Sequence, residues 1–151
     1  FYGGVKATDV LSTVIGCART LPLEEALVVA DVALSRQRKS SRVTRSALYE
    51  ALTHLSRKGS AKARRVAQLM SDKSDSPGET LTRLRLHEFG LYPQEQYRVR
   101  TDAGEYFGDF GFEQQKVILE FDGRVKQTSQ VMNPDGWAID REKERENALL
   151  R

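Results

Sequence analysis

The scarcities of this sequence narrow its chemistry first. Cys17 is the only cysteine in 151 residues, which excludes an internal disulfide framework and a cysteine-built zinc site. It sits in an apolar, helix-like stretch and reads as a small buried hydrophobe rather than a nucleophile. Histidine occurs twice, at His54 and His87; both fall within helical patterns and lack metal-ligand spacing. No apolar run approaches the roughly 20 residues that cross a bilayer, and no signal-peptide pattern opens the chain. A cytoplasmic location is expected on these grounds. The chain begins at Phe1 rather than methionine and stops at Arg151 inside a helical pattern, so a piece of a longer protein is expected.

What is present is ordinary for a folded chain: 39% hydrophobic and 30% charged residues, with a mean hydropathy of −0.53. That is enough for one domain or two small ones, each with a core. The net charge of +3 conceals an asymmetry. Residues 1–75 hold 13 Lys/Arg against 7 Asp/Glu, whereas residues 76–151 hold 11 against 14. A basic half beside an acidic half suits gripping a polyanion with one part and a cation with the other.

The first half reads as four helices. Thr8 or Asp9 caps the first, running to about Thr20, and Pro22 suits the first turn of the second, Leu23 to about Ser35. A polar, basic stretch with Arg36, Arg38, Lys39, Arg42 and Arg45 follows. Thr44 caps a third helix, Gly59-Ser60 breaks it, and a fourth runs from about Ala61 to Met70. Residues 71–75 form a polar linker, which sets the expected domains at 1–73 and 74–151. Beyond it, Ser76-Pro77-Gly78-Glu79 opens a helix ending near Gly90. Strand signals follow over Gln96–Arg100, Tyr106–Phe112 and Lys116–Asp122, with short turns between them that predict two hairpins. A charged helix over Ala138–Arg151 completes a small α/β unit.

The informative stretch is Val117-Ile118-Leu119-Glu120-Phe121-Asp122. Alternation along a strand sets Ile118, Glu120 and Asp122 on one face. Two carboxylates side by side at the end of an apolar strand repel unless a cation neutralises them, and a hard divalent ion such as Mg²⁺, with Mn²⁺ as a substitute, does so. Asp109, on the preceding strand, falls near both if the strands pair around the short turn. Taken singly, each acid is better read as a turn or surface residue; three converging from adjacent strands point to a metal. Lys126 follows Asp122 at a distance from which it can stabilise a phosphorane, or it is a solvated loop lysine. Glu79 fits a capping box with Ser76, which is its better bottom-up explanation.

Four motifs, in order, are Ser76-Pro77-x-Glu79, Asp109-Phe110, Glu120-x-Asp122-Gly123-x-x-Lys126 and Glu142-Lys143-x-Arg145-Glu146-x-x-Leu149-x-Arg151. Together they resemble the actinobacterial proteins of unknown function related to the very-short-patch-repair endonuclease, within the PD-(D/E)XK nuclease superfamily. The resemblance covers about residues 76–151. Residues 5–75 resemble the helical region that precedes this domain in such proteins, where it usually follows a winged helix like that of the AbiEi antitoxins. A winged-helix domain of the same full-length protein is thus an expected partner.

The resemblance implies a helical N-terminal region followed by a restriction-endonuclease-like α/β domain with a mixed sheet flanked by helices. It makes Asp109 and Glu120 metal-binding acids and Glu79 the helix-borne acid of the superfamily. Asp122 and Lys126 complete the pocket, and Glu142 and Arg145 face it or the DNA backbone. The superfamily signature has lysine at the position of Asp122; here the lysine is displaced to Lys126, where relatives often carry histidine. The expected function is a Mg²⁺-dependent DNA endonuclease, with Arg36, Arg38, Lys39, Arg42, Arg45, Arg64 and Arg65 as candidate phosphate contacts. The alternative is a DNA-binding regulator or antitoxin-like protein that keeps the nuclease-type fold without turnover. A protein-interaction scaffold is the third reading.

Overall fold

The computed structural model describes residues 3–35, 43–56, 58–101 and 104–122. It has mixed helix and strand: α1 (Val10–Thr20), α2 (Leu23–Leu34), α3 (Arg45–Thr53), α4 (Ser60–Leu69), α5 (Pro77–Glu88), β1 (Gln94–Thr101), β2 (Gly104–Phe112) and β3 (Val117–Leu119). No helix among the described residues is long and apolar enough to cross a membrane. Lys126, Arg36, Arg38, Lys39, Arg42, Glu142, Arg145 and the expected helix over 138–151 lie outside the described residues.

The helices start where local chemistry tells them to. Asp9 caps α1 by accepting the Ser12 amide at 2.7 Å, and Thr44 caps α3 by accepting the Ala47 amide. Each satisfies an amide that has no partner within the helix. Pro22 stands at the cap of α2 rather than inside its first turn, and Glu24 and Glu25 follow near the positive end. Gly59 opens α4 in a left-handed conformation, φ 89°.

The chain forms two compact units, Phe1–Leu91 and Tyr92–Arg151. In the first, α1 to α5 close over Val14, Ala18, Leu27, Leu48, Leu52 and Val66, all at 1% exposure or less, with Leu84 of α5 added at 3%. The expected domain boundary lies ahead of α5, at residues 73–74. By compactness α5 groups with the helices before it, packing against α2 through a buried polar network as well as through Leu84.

Asp31 of α2 is the centre of that network, at 1% exposure. Its carboxylate accepts the Ser71 amide at 2.8 Å, the Thr80 hydroxyl at 2.9 Å and the Arg83 guanidinium. Arg83 also donates to the Leu69 carbonyl at the end of α4. Three helices are therefore fastened at one point. Burial lifts the Asp31 carboxyl to about 6, and the Arg83 charge and the hydrogen bonds oppose that rise without cancelling it.

Among the described residues, the second unit holds a three-stranded sheet in the order β1-β2-β3. Both pairings are antiparallel, as two successive hairpins require. The reason is the turns: the connections Asp102-Ala103 and Glu113–Lys116 are too short for the crossover that a parallel pair requires. Arg100 and Glu105 face one another across β1 and β2 and bond at 3.2 Å; Arg98 joins the same carboxylate. These exposed groups steer register more than they stabilise.

Candidate active site

The site is built on the β2–β3 hairpin. Glu113 to Lys116 turn the chain, with the Lys116 amide donating to the Glu113 carbonyl at 3.2 Å and Lys116 itself at φ 54°. Pairing then runs Phe112↔Val117, Gly111↔Ile118 and Phe110↔Leu119. One further step of that register would set Asp109 opposite Glu120, but β3 stops at Leu119. The strand expected over Lys116–Asp122 is thus shorter, and Glu120 and Asp122 lie beyond its end.

Asp109 supplies a cause for the early stop. Its Oδ2 accepts the Phe121 amide at 2.7 Å. A side chain that takes a backbone amide competes with the ladder for it, so the chain past Leu119 is pinned to β2 by a carboxylate. On the other flank, Glu95↔Phe110 and Tyr97↔Gly108 are paired, and Gln96 between them has φ 51°. The ladder is interrupted on both sides of Asp109. Such interruptions re-aim side chains and leave polar groups unspent by sheet pairing.

Two glycines shape the surroundings. A Cβ at Gly108 would lie 2.4 Å from Ile118 Cγ2 and 3.8 Å from Glu120 Oε1. Ile118 crosses this glycine closely, and Glu120 Oε1 lies at ordinary contact distance from the same point. A Cβ at Gly111 would lie 2.0 Å from Tyr97 Cγ, so Tyr97 packs directly on the backbone. Neither glycine is singled out by the sequence reading. The signal is there all the same, since a glycine inside a strand marks a bend or a close approach.

Asp109 is half-buried beside Phe110, which is 1% exposed; Glu120 and Asp122 are exposed. Among the described residues, the Phe121 amide is the one hydrogen-bond partner of the Asp109 carboxylate, and it occupies Oδ2. Oδ1 accepts no hydrogen bond from the described residues. No group of three His, Cys, Asp or Glu among the described residues is placed to hold a metal ion. The structure brings Asp109 and the Glu120–Phe121 segment together, and Asp122 follows them on the surface.

Glu79 belongs to the helical unit and is used locally. Its Oε2 accepts the Asp75 amide and its Oε1 the Ser76 hydroxyl, both at 2.8 Å, while Ser76 Oγ accepts the Glu79 amide at 3.2 Å. This is the capping arrangement expected from Ser76-x-x-Glu79, shifted so that the carboxylate reaches the Asp75 amide. Glu79 is 8% exposed. Of the basic residues expected to meet phosphate, Arg45 is exposed at the first position of α3, and Arg64 and Arg65 are exposed on α4.

Comparisons with protein families, with curated proteins and with solved structures give no match to this chain.

Proposed function

We propose that the chain is a metal-dependent DNA endonuclease of the PD-(D/E)XK type, with Asp109 and Glu120 holding Mg²⁺ or Mn²⁺. The observation that carries this reading is the Asp109 carboxylate, half-buried at an interrupted sheet position and tied through one oxygen to the residue after Glu120. The donor set fits the ion. Mg²⁺ takes oxygen ligands, usually one or two carboxylates with several waters, so two acids and an open flank suffice without a closed cage.

A bound Mg²⁺ supplies charge neutralisation and Lewis-acid activation for in-line attack of water on a phosphodiester. Asp109, oriented by the Phe121 amide, presents its remaining oxygen in a fixed direction. Glu120, in the segment that the Asp109–Phe121 bond draws to β2, would supply a second oxygen. Asp122 and Lys126 belong to the same pocket by resemblance, Lys126 to stabilise charge on the phosphate. Exposure of Glu120 and Asp122 suits a substrate too large to enter a cleft, such as a duplex.

Incubation of the full chain with supercoiled plasmid in Mg²⁺ or Mn²⁺ tests this. Nicked and linear products are expected with either metal, with none in EDTA and on the order of a hundredfold slower cleavage, or worse, in Asp109→Ala and Glu120→Ala. Cleavage at the wild-type rate in both variants would exclude these acids. DNA binding without cleavage by any preparation would transfer the chain to the regulator or antitoxin-like reading.

A further inference from the structure

We propose that the helical unit carries a phosphate-binding cavity, separate from the carboxylates, that takes a backbone phosphate of nucleic acid. The cavity measures about 670 Å³ and opens between the end of α1 and the start of α4. Its lining includes Arg19, Thr20, Lys58, Gly59, Ser60 and Lys62 and contains no carboxylate. Three cations therefore share one cavity, in a chain with 21 acidic residues, and none of the three pairs with an acid among the described residues.

Two of the three are held by bonds of their own. Arg19 Nε donates to the Lys58 carbonyl at 2.9 Å, and Lys62 Nζ donates to the Leu21 carbonyl at 3.3 Å. The bond through Nε fixes the plane of the guanidinium and leaves both terminal nitrogens of Arg19 without a partner among the described residues. A planar pair of N–H donors matches two oxygens of a phosphate, and the Lys58 ammonium adds a point charge beside them. Gly59 holds the wall in place: a Cβ there would lie 2.7 Å from the Arg19 carbonyl. That close approach seats the Lys58–Gly59 backbone against the end of α1, beside Arg19.

Three unneutralised positive charges around one cavity repel each other, and an anion that several donors reach at once relieves the repulsion. A phosphodiester has that form. The choice of a nucleic-acid backbone over free phosphate rests on the endonuclease reading above and on the excess of cations over acids in residues 1–75. None of these three residues is among the basic positions that the sequence reading singles out.

The experiment uses the full chain in EDTA with a short labelled duplex, following fluorescence anisotropy across a salt series. The R19Q/K58Q/K62Q variant is expected to bind on the order of tenfold more weakly. Its slope of log affinity against log salt should be shallower by about 0.9 for each phosphate that the variant leaves unneutralised. K58Q alone, whose ammonium has no protein partner among the described residues, should weaken binding with no change in Tm, which keeps the test independent of folding. Unchanged affinity and slope in both variants would overturn the proposal, as would a wild-type chain that binds no duplex. A Tm rise in inorganic phosphate, abolished in the triple variant while the DNA slope stays constant, would assign the cavity to free phosphate and overturn the backbone assignment. So would loss of anionic-vesicle binding with DNA binding intact. The plasmid-cleavage assay separates the two readings, because salt-dependent binding that is lost in the triple variant supports the cavity whether or not any preparation cleaves DNA.

Discussion

Asp31 and Asp109 carry the same side chain and differ in how many of its oxygens the protein engages. In the helical unit, Asp31 is buried at 1% exposure and its oxygens are spent on an amide, a hydroxyl and a guanidinium. In the sheet unit, Asp109 is half-buried and gives one oxygen to one amide. A saturated carboxylate holds helices together; a carboxylate with an oxygen to spare is available for chemistry. The difference lies in the partners each backbone delivers, since α2, α4 and α5 converge on the first while two interrupted ladders flank the second.

The comparison breaks most visibly under substitution to alanine. Asp31→Ala strands Arg83 in the core and should cost about 3–5 kcal/mol, the range for removing one partner of a buried pair. Asp109→Ala removes one hydrogen bond at a half-exposed position and should cost about 1 kcal/mol or less. Urea unfolding of both variants measures the contrast, and equal losses would erase it. Within the sheet unit, Gly111→Ala should cost about 1–3 kcal/mol, because the added methyl meets the Tyr97 ring carbon at 2.0 Å. A neutral result by thermal melting would show that Tyr97 is free to move away.

The two acids also differ in their response to pH. The Asp31 carboxyl is raised to about 6 in the folded chain against 3.8 as the ordinary value. The folded state then binds the proton more tightly, so this contribution to stability is complete below about 3.8 and is lost as pH rises through about 6. The stability of the wild type relative to Asp31→Asn should fall across that window, with a slope of at most about 1.4 kcal/mol per pH unit. Asp9 and Glu105, both lowered by hydrogen bonds, act in the reverse direction and are common to both proteins. A flat difference between pH values of about 4 and 6.5 would remove Asp31 as the titrating group. The smallest effect belongs to Thr44→Ala, which should cost about 1 kcal/mol through the missing bond to the Ala47 amide. Helicity and melting temperature report it.

Those caps mark what is legible from sequence. Asp9, Thr44 and Ser76 act on amides within a few residues, so their roles can be read from adjacent letters, and α1, α3 and α5 start from them. The three strands and their short turns are equally local. Asp31 and Arg83 are illegible for the converse reason. Each looks like one more charge in a helical pattern, and only the packing of α5 on α2 makes them a buried pair. The same packing groups α5 with the helices before it. At the site, the approach of Asp109 to the Glu120 segment follows from hairpin geometry, whereas the stop at Leu119 does not. It depends on the Asp109 side chain taking the Phe121 amide, a competition that alternation alone does not contain.

The Asp31–Arg83 bond joins residues 52 positions apart, and it bears on how this chain tolerates dissection. The polar run at 71–75 invites a cut, by protease or by gene truncation. A fragment released there would keep Asp31 and surrender both Thr80 and Arg83, stripping its carboxyl of a hydroxyl donor and its cation. Extension to Leu91 keeps all three together, which makes the end of α5 the natural seam for exchanging one half of this protein without unravelling the other.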